Sequence, residues 1–510
     1  MKKLLLTTLL LTTLLLTACN GNESQTTPSK SSTGEISSTE TPKEPSAQEA
    51  IALPKVTITH KQDYEYAEDG TTLLLESGCD VVKLEGEGFE AAAQTIDALF
   101  AESVENSEEY ISTVKEDYEY SKSNGEEYFA PYSSLSTSKI SRMDRNIFSL
   151  KCMSSDYFGG AHGLWGYWGI TLDMQTGKEL ELTDLAVDSY ALIETCTDYA
   201  LKNLADRKDE LFPEYESYVE ENLSNCNWYM DASGIVFVFT PYEIGPYASG
   251  CIEICVPYSQ VAEYMKPEYC GIQGDCIALI QGDEPVSFTT TDNKTRQLSF
   301  ETKMTSEYDF RTTLKVDKEK HSLGDNVALE TAYLMHNADG KTFLLYTVDW
   351  ASDDYETYVY DLTGNNMVQT ANIWACLNSR SMGTNTLSLE FRLNVLGTYF
   401  ADMEYNLTEN GELEPLEEIY QIETSAARTG LTTIKELPVI IDNEKKMLPV
   451  GSRIYIVATD NEGTIWFETP ADKGEFQSGL IQYVRDAESY HIFIDGVVED
   501  EYFDMLPYVG

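Results

Sequence analysis

Apolar and polar positions alternate with a period of two over "KVTITHKQDYEY", Lys55 to Tyr66, the pattern of a strand with one buried face. "EDGTTLLLESGCDVVKL" follows as a turn and further strand. The period then lengthens: Glu90 to Ser112 carries apolar residues at helical spacing and predicts one long helix. "MDRNIFSLKCMSSDY" returns to the strand pattern and runs into the glycine-rich loop "DYFGGAHGLWGYWGI", Asp156 to Ile170. "YWGITLDMQTGKELELTDL" reads as a strand, a turn at Gln175-Thr176-Gly177 and a second short strand. Ser189 to Asp209 and Glu214 to Leu223 are helical, joined near Pro213. "WYMDASGIVFVFTPYEIGPYASGCIEICVPYSQV" gives two strands around a Pro/Gly-rich connection.

From about Gly271 the helical period nearly vanishes, and short strands recur between turn signals such as "NADGKT", "DLTGNN", "TENGEL" and "TDNEGT". The expected architecture is therefore an α+β module over 55–270, in halves 55–150 and 151–270. A mainly β carboxy-terminal half follows, divided into a β-rich domain over 271–430 and a small β domain over 431–510. In the last of these, "LPVGSRIYIVATDNEGTIWFET" with "SGLIQYV" resembles the small SH3-like barrels of bacterial wall-associated proteins, and that resemblance implies a barrel at the end of the chain.

The first residues have a different pattern and belong to no fold. Lys2 and Lys3 precede an apolar stretch from Leu4 to Leu16, and "LTAC" ends it at Cys19. This is a secretory signal over 1–18 whose lipobox makes Cys19 the lipidated amino-terminus of the mature chain. The expected location is extracytoplasmic, anchored to the outer face of the cytoplasmic membrane through that lipid. Residues 19–54 are mostly Ser, Thr, Glu, Pro and Lys without an aromatic. Such a composition cannot bury enough apolar surface to order itself, and acts as a tether reaching roughly 30–35 Å. The remaining residues exceed what one core serves, so several domains are expected.

The formal net charge of −51 opposes binding to nucleic acid or to an anionic membrane surface. It favours cationic partners, or simply keeps a surface protein soluble. Outside the membrane cysteines can pair, and Cys270 and Cys276 bracket the loop "GIQGD", which makes them the candidate disulfide. Cys251 and Cys255 share a strand face but lie too far apart along it to bond each other.

Catalytic frameworks are not legible. His60, His162, His321, His336 and His491 are scattered, with no HExxH and no clustered His/Cys/Asp set, so no metal and no cofactor is expected. Ser112–Lys115 and Ser136–Lys139 both fit S-x-x-K, yet the companion S-D-N and K-T-G elements are missing. No catalytic residue is therefore assigned, and the enzyme reading stays open as the less favoured one. The loop around His162 admits two readings: a general base in a glycine-lined pocket, or a tight corner in which Gly159, Gly160 and Gly163 do the work and the imidazole braces the turn. The second is favoured. The aromatics of the loop and of "PYEIGPY" can also form a binding rim, which makes His162, Trp165, Tyr167, Tyr242, Glu243 and Tyr247 the candidate binding residues.

Between Val56 and Tyr264, "YFGGAHG", "MQTGKELELTDL", "FTPYEIGPYASG" and "VPYSQV" occur in this order. In these motifs the chain resembles a two-part extracellular module of Firmicutes. That module is found in lysozyme-sensing anti-sigma factors and ahead of the catalytic domain of some peptidoglycan deacetylases. The resemblance implies an α+β fold and an envelope role, with lysozyme, another cationic protein or cell-wall fragments as partners. It implies no chemistry, and this chain has neither the transmembrane helix nor the sigma-binding segment of the anti-sigma factors. The expected function is thus binding or sensing at the cell envelope. The alternatives are a wall-modifying hydrolase or deacetylase-associated protein, and a structural or adaptor lipoprotein.

Overall fold

The computed structural model describes residues 52–509, except 70–71, 102–107, 126–129, 273, 283, 291–293, 307, 338, 351–353, 423–429 and 472–475. The signal, the tether and Cys19 lie outside the described residues. Two strands open the fold, β1 (Lys55–Tyr66) and β2 (Leu73–Glu85), paired antiparallel along their whole length. Alternation places Val56 and Ile58 in the core while Thr57 and Thr59 face outward. β2 then runs parallel to β3 (Tyr132–Asp144), Leu75 opposite Tyr132 and Cys79 opposite Ser136. A parallel pair needs a crossover, and two helices supply it, α1 (Glu90–Ala101) and α2 (Glu108–Ser123). The helix expected over 90–112 is described on both sides of residues 102–107, and helical structure continues eleven residues further than the periodicity indicated. α1 buries Ala92, Ile96 and Phe100, one residue per turn facing the sheet.

β3 continues antiparallel into β4 (Ile147–Tyr157) and β4 into β5 (Leu164–Asp173). The second short strand expected after Gly177 is reduced to an isolated bridge between Leu172 and Glu179, followed by a 3-10 turn over Leu182–Leu185. α3 (Ser189–Leu204) is capped by the Asp188 carboxylate on the Ala191 N–H. It lines up Leu192, Cys196, Ala200 and Leu204 as its buried stripe. With α4 (Tyr215–Asn222) it covers a small antiparallel sheet of β6 (Asn227–Met230), β7 (Gly234–Phe239) and β8 (Ile252–Pro257), which has its own core. This sheet lies directly against β5. A Cβ on Gly169 would sit 1.8 Å from the Trp228 carbonyl oxygen, so only glycine permits the contact.

Beyond β8 and the short helix α5 (Tyr258–Val261), no α-helix occurs among the described residues, in line with the expected change at about 271. β9 (Cys276–Leu279) enters between β3 and β14 (Ala328–His336), pairing Arg142 with Ala278 and Tyr333 with Leu279. It thus ties the β-rich half to the first sheet. β10 (Val286–Thr289), β11 (Thr295–Met304), β12 (Phe310–Val316) and β13 (Glu319–Asp325) form a separate four-stranded meander. β15 (Thr342–Asp349), β16 (Tyr355–Asp361) and β17 (Val368–Ile373) extend the sheet from β14. β18 (Cys376–Met382) pairs with β1, and β19 (Thr386–Asn394) and β20 (Thr398–Leu407) follow it.

The last region holds β21 (Leu413–Pro415), β22 (Tyr420–Ile422), β23 (Leu431–Thr432), β24 (Leu437–Ile441), β25 (Glu444–Leu448), β26 (Arg453–Thr459), β27 (Thr464–Pro470) and β28 (Phe476–Gln482). β26, β27, β28, β24 and β25 are neighbours in that order, and β22 joins β26 to β20. Among the described residues no pairing closes β25 onto β26, so the expected SH3-like barrel is represented only by its meander. One of several apolar cores runs from Leu53 to Phe503 and includes residues from both halves of the chain.

β3 is the junction of this architecture. Its first half is paired to β2 and its last residues to β9, while the same edge between Thr137 and Ser141 has no ladder partner among the described residues. The sheet forks there. Two side chains satisfy part of the open edge: the Asp80 carboxylate accepts the Ser138 N–H at 2.6 Å, and the Tyr333 hydroxyl donates to the Ile140 carbonyl at 2.8 Å.

Candidate functional site

The loop between β4 and β5 turns on Gly159 and Gly160, whose φ values of 86° and 97° lie in the left-handed region. Gly163 is needed for a different reason, since a Cβ there would stand 2.6 Å from the Asp156 carbonyl oxygen. His162 projects from this corner, exposed. Its Nδ1 donates to the Gly163 carbonyl at 2.9 Å. Its ring stacks on Tyr247 with centroids 4.1 Å apart and planes inclined by 25°. Tyr242 completes the group, 6.0 Å from Tyr247, and is held at φ 77° by the turn between β7 and β8. Tyr242 is 51% exposed, and Phe158 and Leu164 are exposed beside the same loop.

The turn itself is braced by Glu243. Its carboxylate accepts the Thr240 N–H at 2.5 Å and the Tyr218 hydroxyl at 3.1 Å, so this side chain is committed to the fold. Trp165 and Tyr167, two apart on β5, share a face and meet edge to face at 5.6 Å. Trp165 also touches the position a Cβ would take on Gly250. Tyr167 is drawn away from the corner, under the Lys151 ammonium at 4.1 Å. Lys151 pairs with Glu253 at 2.8 Å, and Glu253 accepts from Tyr229 and Gln281. Of the six expected binding residues, then, exposed His162 and Tyr242 and half-buried Tyr247 form one aromatic platform with Trp165 at its edge, while Glu243 and Tyr167 are engaged within the fold.

Next to Tyr247 the surface dips into a groove of about 420 Å³ lined by Asp209, Glu210, Phe212 and Pro246. Glu210 is engaged by Arg207 at 2.8 Å, whereas the Asp209 carboxylate is exposed and takes no hydrogen bond. An aromatic platform beside an acidic groove can receive a cationic side chain, with the ring faces and the carboxylates acting on the same charge.

The other expected features fall elsewhere. Cys270 and Cys276 are not bridged. The loop between them is closed instead by the Arg142 guanidinium, which donates to the carbonyls of Tyr269 and Gly271 at 3.1 and 2.8 Å. Cys276 is buried on β9 between Asp144 of β3 and His336 of β14. The remaining histidines are dispersed: His60 on Asp80 at 2.8 Å, His321 near Tyr360, His336 on Thr342, and His491 within 3.6 Å of Glu499. Ser136 and Lys139 lie an odd number of residues apart on β3 and face opposite sides, so their S-x-x-K spacing brings nothing together. What motif reasoning missed is a polar cluster at the fork in the sheet, around Lys139, Lys151 and Thr331. Its only sequence signal is the run "SSLSTSKIS", a strand unusually rich in hydroxyls.

A search of curated proteins returns no match. Similar solved structures include two of DUF3298 family proteins. One, from Bacteroides fragilis, is 17% identical and aligns over 43% of this chain and 96% of that chain, with a TM-score of 0.33. The other, from Pseudomonas aeruginosa, is 16% identical over 43% of this chain and 98% of that chain, with a TM-score of 0.32. Residues 183–259, from the 3-10 turn before α3 through the turn of Tyr242 and Tyr247 to the residues just after β8, match the family model described as a protein of unknown function, DUF3298.

Proposed function

We propose that this chain is a lipid-anchored extracytoplasmic binding protein of the bacterial envelope, and that its aromatic corner docks a basic protein of the lysozyme type. The observation that carries the reading is the aromatic corner beside the Asp209 groove, where exposed His162 stacks on half-buried Tyr247 and exposed Tyr242 lies tilted against the same ring. Stacked aromatics supply large contact area at little entropic cost, and the neighbouring carboxylate selects a Lys or Arg side chain. The net charge of −51 supports the same partner, because it steers a basic protein toward the surface and repels anionic competitors. The location rests on the signal ending at Cys19 and the tether that follows it. The resemblance to the lysozyme-sensing module points the same way.

A second reading, capture of soluble cell-wall fragments, is favoured by the same exposed rings, since flat aromatic faces also stack on sugar rings. Calorimetric titration with lysozyme and with soluble muropeptides tests both. Saturable heat with lysozyme that weakens as salt is raised supports the first; heat with muropeptides alone supports the second. No heat with either removes the binding function.

A further inference from the structure

The ladder of the last sheet breaks beside Pro438. β24 and β28 share one rung, Ile440 opposite Leu480, and the same register would next set Pro438 opposite Gln482. The backbone groups of both residues face that gap. β24 and β25 are joined by a two-residue turn with Asp442 and Asn443 at φ 57° and 62°, which makes Ile441 and Glu444 a hydrogen-bonded pair. Alternation then directs Ile440 and Pro438 away from β25. On β28 the Tyr483 N–H donates to the Gly463 carbonyl, so the N–H and C=O of Gln482 turn the other way, toward β24. Proline has no N–H to offer them, and the second rung does not form. Beyond the break the chain enters β29 (Val484–Arg485), which pairs with β30 (Ile492–Ile494) instead. The strands part around a cavity of about 870 Å³ lined by Pro438, Ile440, Met447, Gln482, Val484 and Phe493.

This lining suits an extended chain. Gln482 offers one backbone donor and one acceptor to the gap, and Pro438 a second acceptor. Apolar surface lies beside them, with Met447 53% and Val484 70% exposed. Met447 stands opposite Pro438 and Lys445 opposite Ile440, so all four side chains share one face of the hairpin. Most charged groups at the cavity are already engaged. Lys446 pairs with Asp442 at 3.1 Å, Arg485 donates to the Asn394 carbonyl and the Asn461 side chain, and Asp486 accepts the N–H groups of Glu488 and Ser489. Lys445 and Asp495, both exposed at the cavity, have no counter-charge among the described residues. One cation and one anion complement an occupant that carries both signs.

We infer that this cavity binds an extended peptide, which adds as a short strand beside Gln482, seats apolar side chains on Met447 and Val484, and brings an acidic and a basic residue to Lys445 and Asp495. Strand addition of this kind takes its affinity from main-chain hydrogen bonds and its selectivity from the pockets beside them. The volume lies within the ordinary range for ligand sites, roughly 300–1,000 Å³. The site is separate from the aromatic corner, and neither proposal depends on the other.

Titration calorimetry on the full chain tests the inference with two probes, acetyl-Glu-Val-Thr-Val-Lys-amide and the reversed acetyl-Lys-Val-Thr-Val-Glu-amide. Saturable binding is expected for at least one of them, with at least a tenfold loss when that peptide is N-methylated along its backbone. Pro438→Val supplies the missing N–H, so the ladder extends and the cavity closes. Binding should then fall at least tenfold while the melting temperature holds or rises, an outcome that loss of folding would not produce. A double variant at exposed positions, Met447→Ser with Val484→Ser, should weaken binding at least threefold with melting unchanged, and it decides the matter if Pro438→Val does not fold. Binding of neither probe, equal binding of the N-methylated peptide, or undiminished binding in folded Pro438→Val or in the double variant overturns the assignment.

Discussion

Arg142 is the side chain on which the assembly of the two sheets most depends. It is fully buried, and its guanidinium donates to Asp144 at 2.8 Å, to the Tyr258 hydroxyl at 2.7 Å, and to the carbonyls of Tyr269 and Gly271. Its carbon also lies 5.3 Å from the Tyr258 ring centre. Asp144 is equally buried, and its other oxygen caps the β3–β4 turn by accepting the N–H groups of Asn146 and Ile147. Arg142→Met would leave that carboxylate without its counter-charge and two carbonyls without donors. Breaking a buried pair in this way costs about 3–5 kcal/mol, a large share of the ~5–15 kcal/mol that holds an ordinary domain together. Arg142→Lys keeps the charge but loses the planar fork that reaches several acceptors at once, so it should still cost about 2 kcal/mol. Adding Asp144→Asn to Arg142→Met removes the stranded charge while preserving the turn cap, and should recover part of the loss. Urea unfolding followed by near-ultraviolet circular dichroism measures each difference. A loss below about 1 kcal/mol for Arg142→Met, or a double variant no more stable than the single one, would refute the argument.

Three further outcomes follow from the same geometry. His162→Ala removes the stack on Tyr247 and should cost about 1 kcal/mol of stability, measured by thermal melting; a variant with unchanged melting that had lost a measurable turnover of peptidoglycan digests would restore the catalytic reading of the loop. Asp231 is fully buried with one oxygen unpartnered, and burial raises its carboxyl from 3.8 to about 7. Its raised folded pKa contributes stability that is complete below pH 3.8 and lost as pH rises through about 7, so Asp231→Asn should stabilise the protein at pH 8 and hardly at all at pH 4; an equal gain at both values contradicts this. Cys276 should resist alkylation in the native protein and react after unfolding without any reductant, as read by intact mass, whereas a requirement for reductant would reveal a bridge.

The strands and helices were legible wherever a local period dominates. β1, β5, α3 and the turn at Gly177 follow directly from alternation, helical spacing and turn residues, and so does the change at about Gly271, beyond which the described residues hold no α-helix. The corner was half legible. Gly159, Gly160 and Gly163 announced a tight turn, and the aromatics a platform, but nothing local distinguishes Tyr247, which stacks on His162, from Tyr167, which is held by Lys151. Glu243 looked like a binding group because its commitment to Thr240 and Tyr218 depends on a turn conformation that composition does not encode. The thiols of Cys270 and Cys276 stand apart, and no local pattern shows that Arg142, more than a hundred residues earlier, donates to the carbonyls on either side of Cys270. The fork at β3 was invisible for the same reason, since an unpaired strand edge exists only once β2 and β9 have both docked on one strand.

The account's central claim is that the aromatic corner is a docking surface. Calorimetric titration of lysozyme into the wild-type protein and into a Tyr242→Ser, Tyr247→Ala double variant tests it most directly. The account predicts saturable binding to the wild type that weakens with salt, and at least a tenfold loss in the double variant, with both proteins folded by circular dichroism. Binding that is equally strong in the double variant, or no binding to the wild type, would contradict it.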